Sequence, residues 1–222
     1  MRKINKTVNL ATKYKKWQDT LVREKKRHPK YTSSTGFYYD IVANLLWVQK
    51  GLCAYSERRL QSSASFAPKN WKNGRFKKFQ FAGQLDHYNN TLKISYGWLW
   101  DNFFLIDSDI NVKLKRSHKP SGILKPDLKD YDPIKYLEYD FTNHFFIPHR
   151  KLDFKLQDCV RKDISYLGLN FQPIIDIRRE YLAPVMEEVK YGKISYEDAL
   201  STKLNQFYTA FQLSKGYMTE TN

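Results

Sequence analysis

Gly83-Gln84-Leu85-Asp86-His87-Tyr88-Asn89-Asn90 reads as a strand that stops on two chemically useful side chains, Asp86 and His87. Side chains on a running strand alternate between faces, so a carboxylate and an imidazole on neighbouring residues share one small site only where the strand ends. Asn89-Asn90-Thr91 supplies that end. Asn102 follows fifteen residues after His87, inside the aromatic stretch Trp100-Asp101-Asn102-Phe103-Phe104-Leu105. Asn111 comes nine residues later, in Ile110-Asn111-Val112-Lys113. This order predicts a strand, a second strand and a short helix bringing three side chains to one centre.

Outward from that segment the chain divides into three zones. Residues 51–120 read as strands, loops and a short helix. Leu52 to Glu57 looks like a strand and turn, Gln61 to Gly74 a polar loop, and Phe79-Gln80-Phe81 the approach to the Asp86-His87 strand. Trp98 to Ile106 is the second strand, and Ser108 to Arg116 a basic helix that Asp107, Ser108 or Asp109 can cap. Residues 1–50 read as helical. Leu10, Tyr14, Trp17 and Leu21 recur at helical spacing within Asn9–Arg27, and His28-Pro29 stops that helix. Tyr38 to Lys50 is a second, mostly buried helix with Gly51 at its C′ position. Residues 121–222 are mainly helical and expected to pack on the core. A hairpin falls at 136–141 and 145–147, and a helix at Leu156–Leu169. A further helix is opened by Pro173, with Ile174, Ile177, Tyr181, Val185 and Val189 on one face. Ser195-Tyr196-Glu197-Asp198 caps a last helix bearing Leu200, Leu204, Phe207 and Phe211.

Composition bounds the partners. Lys and Arg number 38 against 23 Asp and Glu, a formal charge of +15. Such an excess favours polyanions, nucleic acid first and anionic membrane second. No apolar run reaches the eighteen or so residues needed to span a bilayer, so no membrane partner is expected. The basic start Met1-Arg2-Lys3 lacks the apolar stretch of a secretory signal. Cys53 and Cys159 make no disulfide framework. These features fit a cytoplasmic protein.

Phosphodiester hydrolysis needs an in-line water, charge relief on the phosphate and help for the departing oxygen. A neutral imidazole accepts a proton near neutral pH, which makes His87 the candidate general base. An oxygen of Asn102 is the candidate group that fixes its tautomer. Asp86 and Asn111 offer hard oxygen ligands suited to Mg²⁺ or Mn²⁺. Lys113, Lys115 and Arg116, on or beside the helix of Asn111, are candidates for the flanking phosphates. Each has a plainer alternative. An Asp-His pair at a strand end is usually a hydrogen-bonded turn, Asn102 and Asn111 alone are usually turn or cap residues, and the Lys113–Arg116 run is usually a solvated face. It is the joint order that favours chemistry. His118, His144 and His149 lack a partner at metal-ligand spacing and read as structural or surface residues.

These residues resemble the HNH endonucleases (PtuB-like) of Septu-type and retron-associated anti-phage defence systems. The matching segments are Cys53-Ala54-Tyr55-Ser56-Glu57, Asp86-His87, Trp98-Leu99-Trp100-Asp101-Asn102, Ile110-Asn111 and Leu167-Gly168-Leu169-Asn170, followed by Arg178-Arg179. The resemblance runs from about residue 45 to 185. It implies an α+β fold, a ββα-metal (HNH) nuclease core set between N- and C-terminal helical regions. It further implies divalent-metal-dependent endonuclease activity on DNA or RNA as the effector of a defence complex. The implied partners are an ABC-type ATPase (PtuA-like) and, in retrons, a reverse transcriptase with its RNA and DNA. The family carries four zinc-binding cysteines; here Cys53 remains, with Ser56, Asp107 and Ile110 at the other positions. That set is no tetrahedral zinc site, so no structural zinc is expected, with packing by Tyr55, Trp98, Trp100, Phe103 and Phe104 in its stead. A different class of reading is a catalytically silent nucleic-acid-binding or scaffold subunit that kept the fold.

Overall fold

The computed structural model describes residues 1–219 and shows an α+β fold with two small antiparallel sheets. The chain forms two compact units. One comprises Ile4–Ala54 and Arg59–Lys119; the other comprises Met1–Lys3, Tyr55–Arg58 and the residues from Pro120 onward. The N-terminal helices therefore share a unit with the Asp86-His87 strand.

In the first unit, α1 (Thr12–Arg23) is shorter than the Asn9–Arg27 span expected from periodicity. Its end is set by Lys25, which takes the left-handed conformation at φ 51°, before His28-Pro29 is reached. α2 (Tyr38–Val48) is buried along most of its length, from Asp40 to Leu46. The left-handed residue after α2 is Lys50, with Gly51 the next position on; the Gly51 N–H closes back on the Leu46 carbonyl at 2.8 Å. A side chain at Gly51 would strike the Gln61 carbonyl, so glycine is required there for approach as well as for φ.

The sheet of this unit is a hairpin of β1 (Gln84–His87) and β2 (Phe103–Ile106), with Leu85 opposite Leu105 and His87 opposite Phe103. A lone two-stranded hairpin is marginal in water. Here Gln49 secures it, its amide accepting from the Leu105 N–H at 2.9 Å and donating to the Leu105 carbonyl at 2.8 Å. Leu85, Phe103 and Leu105 enter a core with Tyr14, Ile41, Val42, Leu45, Leu46, Phe66, Trp98 and Trp100. Burying each such aliphatic or aromatic group contributes about 1.5–3 kcal/mol. The stretch expected as strand from Trp98 begins instead as a tight turn, Trp100–Asn102, and Leu52 to Glu57 is turn apart from a single bridge between Leu52 and Arg59. Between the strands lies a single helical turn, α3 (Lys93–Tyr96). After β2, a short wide helical turn spans Ile110–Lys115, where the Arg116 N–H reaches the Asn111 carbonyl at 3.0 Å. Asp107 caps its entrance, accepting from the Asp109 N–H at 2.9 Å.

In the second unit, β3 (Leu137–Asp140) and β4 (Phe145–Pro148) form the expected hairpin. Helices follow at Phe154–Tyr166, capped by Asp153, and at Gln172–Lys190, opened by Pro173. The buried face of the longer helix is Ile174, Ile175, Arg178, Leu182 and Met186, offset from the Ile177, Tyr181, Val185, Val189 stripe expected. The offset centres on Arg178, fully buried, whose guanidinium donates to the carbonyls of Leu169 and His144 and to the Tyr139 hydroxyl. Ser195 caps the next helical segment as its sequence predicts, but that helix breaks and restarts at Tyr208–Leu213 after Phe207 at φ 55°. No helix among the described residues is long and apolar enough to cross a membrane.

Candidate functional site

His87 ends β1 with 3% of its surface exposed. Its Nε2 lies 2.8 Å from the Gly97 carbonyl oxygen. A carbonyl only accepts, so Nε2 carries the proton and Nδ1 holds the lone pair. No hydrogen bond among the described residues reaches Nδ1. The partner of the imidazole is thus the backbone of Gly97, not Asn102 as the sequence suggests. Burial pushes the His87 pKa down to about 4, opposed by the Gly97 bond and reinforced by the charges of Lys93 and Lys115. The ring is therefore neutral at pH 7, the form a general base requires.

Asn102 acts one step away. Its Oδ1 accepts from the Asn89 N–H at 2.8 Å and its Nδ2 donates to the Asn89 carbonyl at 3.0 Å, while its own carbonyl takes the Tyr88 N–H at 2.8 Å. It clamps the loop that follows His87. Asn89 in turn caps the next turn, receiving the Thr91 N–H at 3.1 Å.

Asp86 is also buried, 3% exposed, but both residues are still paired in β1, so Asp86 lies on the opposite pleat from His87, with Gln84, and the strand end does not bring the two to one face as the sequence suggests. Asn111 meets β1 on that face, its Nδ2 donating to Gln84 Oε1 at 3.0 Å. Lys115 comes to the same strand end. It is fully buried, with Nζ 3.3 Å from the His87 carbonyl and 2.9 Å from that of His118. Burial lowers its pKa, and the charge of Asp86 opposes that shift. Lys115 is therefore an internal cation that ties the strand end to its helix, rather than a surface contact for phosphate. Lys113 is exposed and pairs with Asp109 at 3.2 Å, and Arg116 is exposed at φ 41° with its carbonyl held by Asn90 at 2.6 Å. Of the three expected phosphate contacts, Lys113 and Arg116 lie at the surface.

A roof over His87 has no counterpart in the expectations. Tyr31 stands edge-on to the imidazole with ring centroids 4.6 Å apart, and Phe103 packs at 4.9 Å. The Tyr31 hydroxyl has a raised pKa, from burial first, then from Tyr38 and the charge of Asp86. Its segment is anchored to Trp98, whose N–H donates to His28 Nδ1 at 2.9 Å and whose indole N–H donates to the Pro29 carbonyl at 3.0 Å. The only signal in the sequence is the aromatic Tyr31 two residues after a proline, too common a pattern to single out.

At the four positions that the sequence resemblance sets against zinc cysteines, Cys53 Sγ accepts the Asp107 N–H at 3.3 Å, Ser56 Oγ accepts the Arg58 N–H at 3.3 Å, and Ile110 is buried. Asp86 and Asn111 bring one carboxylate and one amide oxygen, donors of the hard kind that divalent cations take, to one face of β1. No cluster of three or more His, Cys, Asp or Glu that could hold a metal occurs among the described residues. No family model matches the chain, and no curated protein matches it.

Proposed function

We propose that this protein is an HNH-type endonuclease that hydrolyses phosphodiester bonds of DNA or RNA, with β1, β2 and the Ile110–Lys115 helix as its ββα-metal core. The observation that carries the reading is the tautomer of His87, with Nε2–H spent on the Gly97 carbonyl and Nδ1 left to take a proton. In the proposed reaction Nδ1 removes a proton from water as the water oxygen bonds to phosphorus. The bond from phosphorus to the 3′-oxygen breaks, and that oxygen leaves with a proton from solvent. Asp86 and Asn111 would hold the Mg²⁺ or Mn²⁺, which supplies charge for the crowded phosphate and the leaving oxygen. Asn102 keeps the loop after His87 in register, and Lys115 ties down the end of β1, from which His87 and Asp86 leave on opposite pleats.

The proposal extends to the setting that the sequence resemblance implies: an effector in an anti-phage defence complex with an ABC-type ATPase and, in a retron, a reverse transcriptase with its RNA and DNA. A second reading, a silent nucleic-acid-binding subunit, is favoured by one feature, the burial of His87 beneath Tyr31. Single-turnover cleavage of labelled nucleic acid in Mg²⁺ separates the two. His87→Ala should slow cleavage by a factor on the order of 10² to 10⁴ with binding retained. Cleavage at the wild-type rate by a folded His87→Ala protein rejects the mechanism, and no cleavage by the wild type selects the silent subunit.

A further inference from the structure

From Arg58 to Leu85 the chain contains seven Lys and Arg and not one Asp or Glu. The structure gathers part of this run around a concave cavity of about 900 Å³, lined by Lys69, Lys72, Arg75, Lys77, Phe76 and Phe79, among others. Its floor is rigid. Phe66, Phe76 and Phe79 pack on one another at 5.0–5.4 Å between ring centroids. Lys72-Asn73-Gly74-Arg75 is a tight reversal with both central residues at positive φ, 50° and 71°, and a bridge between Lys72 and Arg75. Arg75 is committed to buried Asp40, at 2.7 Å. Lys69, Lys72 and Lys77 are exposed and make no ion pair among the described residues. Uncompensated ammonium groups repel one another, so three around one hollow mark a place where an anion is expected.

We infer that this cavity binds a single strand of nucleic acid, its phosphates on Lys69, Lys72 and Lys77 and a base against the half-buried Phe76 and Phe79. Ring faces within a hollow can stack on an unpaired base, whereas a duplex keeps its base faces inside. The free amide of Gln80, also on the wall, suits a base edge. The segment continues directly into β1, so a strand held here lies on the same unit as Asp86 and His87. Binding at the cavity stands apart from the cleavage chemistry; only the destination of the strand rests on the nuclease reading.

The test is fluorescence anisotropy of labelled oligo(dT), about twenty nucleotides long, with the full chain and a chelator present so that no metal-dependent cleavage intervenes. K69E/K72E/K77E should bind at least about tenfold more weakly, and the slope of log affinity against log salt should fall by about 2, from ~0.7 per phosphate contact. The charge-matched K135E/K155E/K193E, on exposed lysines of the other unit, should bind nearly as the wild type does. Equal losses in the two triple variants, or none in the first, overturn the proposal. An abasic oligomer of the same charge requires no variant: weaker binding supports stacking, and equal binding overturns it. Stronger capture by anionic phosphatidylserine vesicles than by oligo(dT), lost in K69E/K72E/K77E, assigns the cavity to membrane instead and also overturns it. With the chelator present the anisotropy reads binding alone, so a failure of cleavage tells against the catalytic reading without touching this one.

Discussion

The side chain of Asn102 pairs with both backbone groups of Asn89, as one strand pairs with another, although neither residue lies in a strand. Asn102→Leu leaves the part-buried N–H and carbonyl of Asn89 without this partner and should cost about 1 kcal/mol. For a chain of this size that lowers the melting temperature by roughly 2–4 °C per kcal/mol. Asn102→Asp retains the acceptor and places a carboxylate against the Asn89 carbonyl, so it should rescue little. Thermal unfolding of both variants checks this; an unchanged midpoint in Asn102→Leu shows that the clamp is dispensable.

Acid should act on stability through His87. The unfolded imidazole binds its proton near the ordinary 6.5, the folded one near 4, so below 6.5 the unfolded state holds the extra proton. The stabilisation is fully present above 6.5 and is lost as pH falls toward 4, by ~3 kcal/mol at full development. Urea unfolding at pH 7 and pH 4.5 should show a larger drop for wild type than for His87→Gln. Equal drops assign the acid sensitivity elsewhere, to His28 or His144, both also held low by burial. In cleavage assays the acid limb should sit well below 6.5.

Lys115→Met should destabilise by about 1.5–3 kcal/mol, because it strips a charged donor from the carbonyls of His87 and His118. It should leave the salt dependence of nucleic-acid binding unchanged, since a buried ammonium releases no counterions. A lower salt slope in this variant would show that Lys115 reaches phosphate.

Gly97→Ala tests the orientation of the imidazole without touching the ring. An added Cβ would sit 2.6 Å from the Lys93 carbonyl oxygen, so the α3 turn must shift and carry the Gly97 carbonyl with it. Cleavage should fall by at least about tenfold with little change in binding, as expected when a reacting group is displaced by about an ångström. Full activity in Gly97→Ala would mean that the carbonyl does not set the tautomer.

In the second unit Arg178→Lys should cost about 3 kcal/mol. A single ammonium cannot reproduce the fork that reaches Leu169, His144 and Tyr139 at once. Chemical denaturation measures it directly, and a loss below about half a kcal/mol would contradict the role given to the fork.

Features written in local pattern are legible in the amino-acid sequence. The β3–β4 hairpin, the Pro173 helix start and the Ser195 cap fall where turn and capping chemistry put them. Features set by distant partners are not legible in that way. Arg178 reads as polar in a helical wheel and is buried, because its acceptors come from residues 139, 144 and 169. Lys115 reads as a phosphate contact on a basic helix and is buried for the same reason, its acceptors being the carbonyls of His87 and His118. Within the candidate site, the β1 strand follows from the sequence, but the pairing of Asn102 with Asn89 rather than His87 does not, because it depends on how the loop after β1 folds back. The Gly97 carbonyl and Tyr31 do not, since a backbone oxygen leaves no mark in residue type and Tyr31 is one of sixteen tyrosines.

Tyr31 and Phe103 flank the His87 imidazole with ring centroids 4.6 and 4.9 Å away, so their ring currents fall on its carbon-bound protons. The chain has five histidines, and among the described residues the half-buried His149 shows no such double aromatic enclosure. The His87 resonances should therefore stand apart in a proton spectrum and stay nearly fixed through a titration from pH 8 to about 5. If Tyr31 swings aside when nucleic acid arrives, those lines move toward ordinary imidazole positions. The base thus carries its own magnetic label, and opening of the roof can be followed in solution without any added probe.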